Sequence, residues 1–398
     1  MSLVTLPERA DVVVVGGGIV GTSAAYFLTT ETDLDVLLVE KDKIASGSTG
    51  DSSAILRHHY GPKEIYAKTA WWSHQFYREF HERTGEKIAH ADSPLVRFGV
   101  EGTPEGEYAD EGGDVLASLD IPVTTYDPDE FDEQYPMLDL EGIDFAVSDD
   151  AAGYSDGTDA AGGFARAAQD AGATVVTGVA VEDVLVEDDA VVGVDTNDGT
   201  VATESVVVAA GPWTPRLMDD LGVDVPIERT REQVLVLDPP ESFAEAYPDL
   251  VPTSGAPGGD WYMRSDFGDG VLVATHHTDE TVDPDRYDGT PDQETTLELL
   301  DELEAFAPEL AESRVKGQYC GVYSTTPDHD FVIDQVGPDG CVVACGFSGH
   351  GFKHGPAVGR ILTDLVTDGD TEFVDVDYFS LDRFEGDAGG HGGPGAKI

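Results

Sequence analysis

Two glycine-rich stretches hold the residues best placed for chemistry. Near the N-terminus, DVVVVGGGIVGTSAAYFL sets Gly16, Gly18 and Gly21 in the pattern GxGxxG. Near the C-terminus, ACGFSGHGFKHGPAVGRIL places Lys353 among glycines. The chain has Lys+Arg 22 against Asp+Glu 79. A lysine kept where backbone can approach a ligand closely raises the question of what it serves. The first pattern points to a pyrophosphate. Gly16 permits a tight turn, Gly18 lets the backbone approach the phosphates, and Gly21 lets a helix pack closely on a strand. The helix N-terminus that follows stabilises phosphate charge.

Such a site needs a strand before the glycines and a helix after them, and the sequence supplies both. Asp11 to Val15 is a β-branched run of the kind found in buried parallel strands. IVGTSAAYFL reads as the helix, and DVLLVE as a second buried strand ending in Glu40. Glu40 suits a ribose hydroxyl and repels a 2′-phosphate, so NADP is disfavoured while NAD and FAD stay open. Residues 41–61 read as a loop rich in Gly, Ser and Thr. EIYAKTAWWSHQFYREFHERTG reads as an amphipathic helix whose aromatics belong to the core. Residues 158–213 read as helix, strand, a hairpin or meander at NDG, and the buried strand SVVVAAG. QVLVLDPP, DWYMRSD and GVLVATHH alternate like half-buried strands. DQETTLELLDELEAFAPEL is a helix, and a strand, the glycine loop and a last helix follow it.

The expected architecture is α/β, with a dinucleotide-binding parallel-sheet domain interleaved with an α+β substrate domain built on a mixed sheet. The first takes residues 1–90, 145–215 and 320–370. The second takes 91–144 and 216–319. Residues 371–398 form a C-terminal extension, and its end, GDAGGHGGPGAKI, reads as disordered.

Composition narrows the partners. A formal net charge of −57 over 398 residues argues against nucleic acid and anionic membrane surfaces. The acids are spread evenly, which resembles the solvated surface of a protein adapted to concentrated salt. A localised acidic interaction face is the alternative. The cysteine count, Cys 3, does not make a disulfide framework and suits a reducing cytoplasm. Cys341 and Cys345 lack further ligands, so no metal site is expected. The N-terminus does not read as a signal peptide, and no apolar run is long enough for a membrane span.

Four blocks together resemble a known family: VVVVGGGIVGTSAAYFL…VLLVE, ASGSTGDSSAILRHHYG, VVVAAGPWTP and YSTTPDHDFVIDQVGPDGCVVACGFSGHGFKHGPAVG. They are similar to the FAD-dependent amine oxidoreductases of the D-amino-acid oxidase class, in the sarcosine oxidase and sarcosine/dimethylglycine dehydrogenase branch. The resemblance implies FAD as cofactor. It would be held by Gly16, Gly18, Ile19, Val20, Gly21, Glu40, Lys41, Ser46, Gly47, Ser48, Ser52, Ser53, Val179, Ala210, Gly211, Trp213, Gly346, Gly349, His350, Gly351, Phe352 and Lys353. The resemblance also implies that Arg57 and Lys353 clamp the carboxylate of an amino-acid substrate. His276 would stand near the substrate and Tyr262 in the pocket roof, with His58, His59 and His350 as flavin-side candidates.

Two departures from the family matter. Its oxygen-activating lysine falls at Leu272, which implies an electron acceptor other than O2. Its flavin-linking cysteine falls at Gly321, with Cys320 one residue off, so non-covalent FAD is expected. The implied activity is oxidation of the C–N bond of a small carboxylate-bearing amine, of sarcosine, dimethylglycine, proline or D-amino acid type, by a dehydrogenase. The alternatives are an O2-using oxidase of the same fold and a non-catalytic flavin-bearing assembly or electron-transfer subunit.

Overall fold

The computed structural model describes residues 6–247, 252–256, 259–276 and 278–385. The valine-rich runs become the centre of a six-stranded sheet. Its order is Val332–Gln335, Cys341–Cys345, Ser205–Val208, Val12–Val15, Val36–Glu40 and Thr174–Thr177. All neighbours are parallel except the Val332–Gln335 edge, which runs antiparallel to Cys341–Cys345. Parallel strands are buried on both faces, which explains their unbroken apolar sequences. One face is covered by the helices Ile19–Glu31, Gly157–Ala171 and Gly355–Asp368. The other is covered by the antiparallel strands Val181–Glu187, Ala190–Thr196 and Gly199–Ala202 and the helix Thr214–Asp219.

A second, antiparallel sheet has the order Trp261–Asp266, Gly270–Thr275, Glu228–Asp238 and Arg314–Thr325. Its strands alternate, and the alternation sorts side chains between two faces. Leu235, Leu237, Met263, Val271 and Val273 pack beneath the helix Gln293–Phe306. Val234, Tyr262, Leu272 and Ala274 belong to the opposite face.

Three local readings change. The loop over 41–61 contains a short strand, Ile55–Leu56, paired with Gly153–Ser155. The single helix expected from Glu64 is two, Glu64–Arg78 and Phe80–Thr84, broken at Glu79 (φ −96, ψ 15). Residues 371–385 dock on the body: Phe379 is buried, and Arg383 pairs with the buried Asp328 at 2.9 Å. The glycine-rich end expected to be disordered lies outside the described residues.

Candidate active site

A cavity of about 440 Å³ opens at the carboxyl ends of the parallel strands, where ligands bind in open α/β sheets. One end is walled by Gly16, Gly18, Ile19, Val20, Glu40, Lys41, Val179, Ala210, Gly211 and Trp213. Ser46, Gly47, Ser48, Ser52 and Ser53 line it further along. The other end meets the antiparallel sheet at Glu232, Val234, Tyr262, Ala274 and Tyr323, beside Gly346, Gly349, Gly351 and Phe352.

At the first end the glycine turn and the start of the next helix face the cavity. The helix Ile19–Glu31 starts from Gly18, which has no side chain to cap it, and the Ile19 amide donates to the Thr49 hydroxyl at 3.0 Å; the positive end of the helix faces the cavity. Gly21 does not line the cavity. A Cβ built on it would stand 2.0 Å from the Gly16 carbonyl oxygen, so its role is close packing of helix on turn. Glu40 accepts from the amides of Gly17 (2.7 Å) and Asp42 (2.8 Å), which fixes its carboxylate. Lys41 lies 3.5 Å over the Trp213 ring. Asp285 takes Trp213 Nε1–H at 2.7 Å and Lys41 Nζ at 3.2 Å.

At the second end the glycine loop is pressed onto Tyr323. Gly349 has φ +84, and a Cβ there would lie 2.4 Å from the Tyr323 ring, so both its conformation and its neighbour require glycine. The Ser348 amide donates to the Ser324 carbonyl at 2.8 Å. His350 turns away from the cavity and packs among the rings of Tyr60, Tyr66 and Phe331. His276 also stands behind the wall, edge-on to Tyr262 and Tyr323. His58 and His59 are buried outside the lining, held by the Asp149 carboxylate.

Arg57 and Lys353 come together in the interior, but neither lines the cavity. Arg57 is 0% exposed and Lys353 4%. Lys353 follows Phe352, which does line it. Arg57 Cζ sits 4.1 Å over the Tyr60 ring, and Nη1 donates to the His59 carbonyl at 2.5 Å. Its Nε and Nη2 have no hydrogen-bond partner among the described residues. Arg97, in the strand Leu95–Gly99, repeats this pattern with Nε and Nη2 both unpartnered. Burial, then the charges of Arg57 and Arg97, push Lys353 well below its ordinary 10.5. Burial and Arg57 lower Arg97 to about 10.

Sequence reasoning missed Arg97 and Glu232. The signal for Arg97 was an arginine inside the otherwise apolar LVRFG. Glu232 faces the cavity and accepts from the Thr230 and Thr275 hydroxyls (3.0 Å each) and the Thr278 amide (3.1 Å). Burial raises its pKa against those donors.

A family profile described as FAD dependent oxidoreductase matches residues 11–365. The chain belongs to this family. Among its relatives, the monomeric sarcosine oxidase of Bacillus sp. (strain B-0618) is 29% identical over 386 residues, covering 94% of this chain and 96% of the relative. The N-methyl-L-tryptophan oxidase of Yersinia pestis (strain Pestoides F) is 26% identical over 395 residues, with 94% and 99% covered. Among solved structures, L-proline dehydrogenase from P. horikoshii superposes with a TM-score of 0.86 at 26% identity, covering 96% of this chain and 99% of that one.

FAD is therefore the cofactor of this family member, and the cavity fits it. A helix start at the glycine turn, a fixed acidic strand end and a flanking glycine loop would hold the pyrophosphate, ribose and ring along one continuous crevice. No cysteine lines that crevice among the described residues. A Cβ at Gly321 would lie 2.9 Å from Asp51 Cβ, so the linking position is filled from the other side. Cys320 is buried outside the lining. Burial lifts Asp51, which does line the cavity, to about 6. Leu272 is 2% exposed and packs with Ile55, Leu95, Val234, Tyr262 and Ala274. It stands beside the wall without lining it. The cation opposite it in register, Arg264, is tied to Asp266 (2.9 Å) and the Ser53 carbonyl (2.8 Å). Among the described residues no helix is long and apolar enough to cross a membrane.

Proposed function

We propose that this enzyme oxidises the C–N bond of a small amino acid or N-methyl amino acid, and that it passes the electrons to an acceptor other than O2. The observation that carries the substrate class is the buried pair of Arg57 and Lys353 just behind the cavity wall, with guanidinium donors left over. A buried guanidinium with two nitrogens left unpaired is costly, and a carboxylate can relieve that cost while also meeting Lys353. Arginine offers a bidentate fork to it, and lysine a point charge. The Tyr60 ring holds the Arg57 guanidinium in plane, so the fork is set before the ligand arrives.

When bound, the flavin supplies the hydride acceptor. The chain's own residues orient the substrate by its carboxylate and close the site against Tyr262 and Tyr323. The sheet face of Val234, Ala274 and Leu272 keeps that region apolar. We take the parallel-sheet segments as the cofactor domain and the four-stranded sheet as the substrate domain. A reducing cytoplasm suits the cysteines, which are free and buried.

The acceptor reading rests on Leu272. Superoxide and peroxide are anions, and an aliphatic side chain gives them none of the stabilisation that an ammonium would. A panel of amino acids and N-methyl amino acids mixed anaerobically with the yellow enzyme should include one that bleaches the flavin band. The reduced enzyme should reoxidise slowly in air and quickly with a quinone or dye. Leu272→Lys should speed the reaction with air. Rapid reoxidation of the wild type by air alone would make it an oxidase, as its sarcosine and N-methyl-L-tryptophan relatives are named. A flavin that no amine bleaches would point to a non-catalytic electron carrier.

A further inference from the structure

On the far side of Arg57, a line of imidazoles runs from the interior to the surface. The buried Asp149 carboxylate takes His58 Nδ1 at 3.0 Å and the His58 backbone amide at 2.6 Å. His58 Nε2 meets His74 Nδ1 at 3.0 Å, and His74 Nε2 meets His90 Nε2 at 2.9 Å. His58 and His74 are fully buried, His90 is half-buried and Asp92 is exposed. Asp149 fixes the order of protons along this line. It accepts from His58 Nδ1–H, so His58 Nε2 carries a lone pair and accepts from His74 Nδ1–H. His74 Nε2 is then a lone pair aimed outward at His90.

That arrangement is how proteins hold a metal-binding imidazole: one nitrogen faces the ion, and the other is anchored through a hydrogen bond that leads to a carboxylate. We propose that His74, His90 and Asp92 form a binding site for a divalent transition-metal ion of the Zn²⁺ class. His58 and Asp149 orient it. One donor atom from each of the three lies within 4.8 Å of the others. His90 and Asp92 alternate along one strand, so they share a face, and His74 meets them from the helix Glu64–Arg78. Two nitrogens bound to one tetrahedral ion at about 2.0–2.1 Å stand roughly 3.3–3.4 Å apart, so the two imidazoles need to part by a few tenths of an ångström and tilt until both lone pairs face the ion, with His90 carrying its proton on Nδ1. Two nitrogens and one carboxylate oxygen suit Zn²⁺, Co²⁺ or Ni²⁺ and leave a fourth position for water.

One group competes. Arg78, a turn beyond His74, holds Asp92 at 2.7 Å. The Asp92 side chain is 72% exposed, so it can swing to the ion. The bound ion would clamp the helix to the strand. Through His58 and Asp149 it would also steady the Arg57–His59 segment, whose His58 and His59 amides already point at Asp149.

The test is Co²⁺ titration of the FAD-loaded chain, read as a difference spectrum to the red of the flavin band. The expected result is intense ligand-field absorption of a four-coordinate ion, saturating at one equivalent. His90→Asn alters a half-exposed residue, and its retained flavin would report an intact fold. It should lower Co²⁺ affinity by more than the ~10–100-fold typical for loss of an outer-shell partner. Arg78→Ala removes the competitor for Asp92 and should tighten binding. No such absorption, only the pale absorption of oxygen-ligated Co²⁺, or full absorption retained in His90→Asn would each overturn the site. Affinity unchanged in Arg78→Ala would remove Asp92 from the ligand set and overturn the site as drawn.

Discussion

The two ends of the cavity solve the problem of an anionic ligand in opposite ways. At the nucleotide end the polar groups already have partners within the protein. Glu40 is fixed by two amides, and Lys41 and Trp213 converge on Asp285. Behind the other end, Arg57 and Arg97 each keep two buried nitrogens without a partner among the described residues, and Lys353 is driven toward its neutral form beside them. The first end offers an anion a glycine turn and the positive end of a helix, which need no compensating charge. The second end concentrates cations in the interior. A ligand that brings a carboxylate there relieves both desolvation and mutual repulsion. Binding there should therefore be far more sensitive to charge than binding at the nucleotide end.

The largest effect is expected where backbone packing is tightest. Gly21→Val would force a side chain against the Gly16 carbonyl at 2.0 Å and push the helix off its turn. The expected outcome is loss of FAD from the purified protein, checked by its visible spectrum. A yellow Gly21→Val protein would show that the nucleotide end does not depend on this contact.

Arg97→Met tests whether the third cation belongs with the other two. One charge-assisted contact is worth about 1.5–3 kcal/mol, hence roughly ten- to a hundredfold in affinity, and Arg97 should fall at the low end because it acts behind Arg57. Carboxylate affinity should drop about tenfold while FAD stays bound, as measured by titrating the flavin spectrum with a carboxylate inhibitor. Equal affinity would confine the clamp to Arg57 and Lys353. Tighter binding would mean that relief of repulsion on Lys353 outweighs the lost attraction.

The smallest effect is a proton. Lys353 is lowered from 10.5 in the folded protein, so between its depressed value and 10.5 the unfolded chain binds the extra proton. Over that window stability rises with pH. A carboxylate beside Lys353 restores the ammonium. Inhibitor binding at pH values inside the window should therefore take up close to one proton, seen by calorimetry in buffers of different ionisation enthalpy. Lys353→Met should abolish the uptake. Uptake that persists in the variant would assign it to another group.

The same contrast explains what the sequence disclosed. The nucleotide end is a local pattern, strand, glycines, helix and Glu40 in one run, and local patterns survive without tertiary information. Its outlying parts, Val179, Ala210, Gly211 and Trp213, became visible only through resemblance, as did Arg57 and the role of Lys353, because the chain brings them in from distant segments. Arg97 was hidden since nothing in LVRFG says which neighbour its strand will take, and Phe145–Asp149 supplies that answer. The resemblance placed His350 on the flavin side. The positive φ of Ser348 and Gly349 turns it into the aromatic core instead. The imidazole line was illegible for the same reason as Arg97. His58, His74 and His90 have no ligand spacing until a loop, a helix and a short strand meet. The break at Glu79 and the docking of residues 371–385 depend on tertiary contacts that no local propensity encodes.

The central claim is that Arg57 and Lys353 receive the substrate carboxylate. Its most direct test is the anaerobic rate and affinity of flavin reduction in wild type, Arg57→Met and Lys353→Met, each with the best carboxylate substrate and with its decarboxylated amine. Each substitution should weaken the carboxylate substrate roughly ten- to a hundredfold, leave the amine nearly unchanged and keep FAD bound. Wild-type reduction of the carboxylate substrate in both variants would contradict the claim, as would an equal loss for substrate and amine.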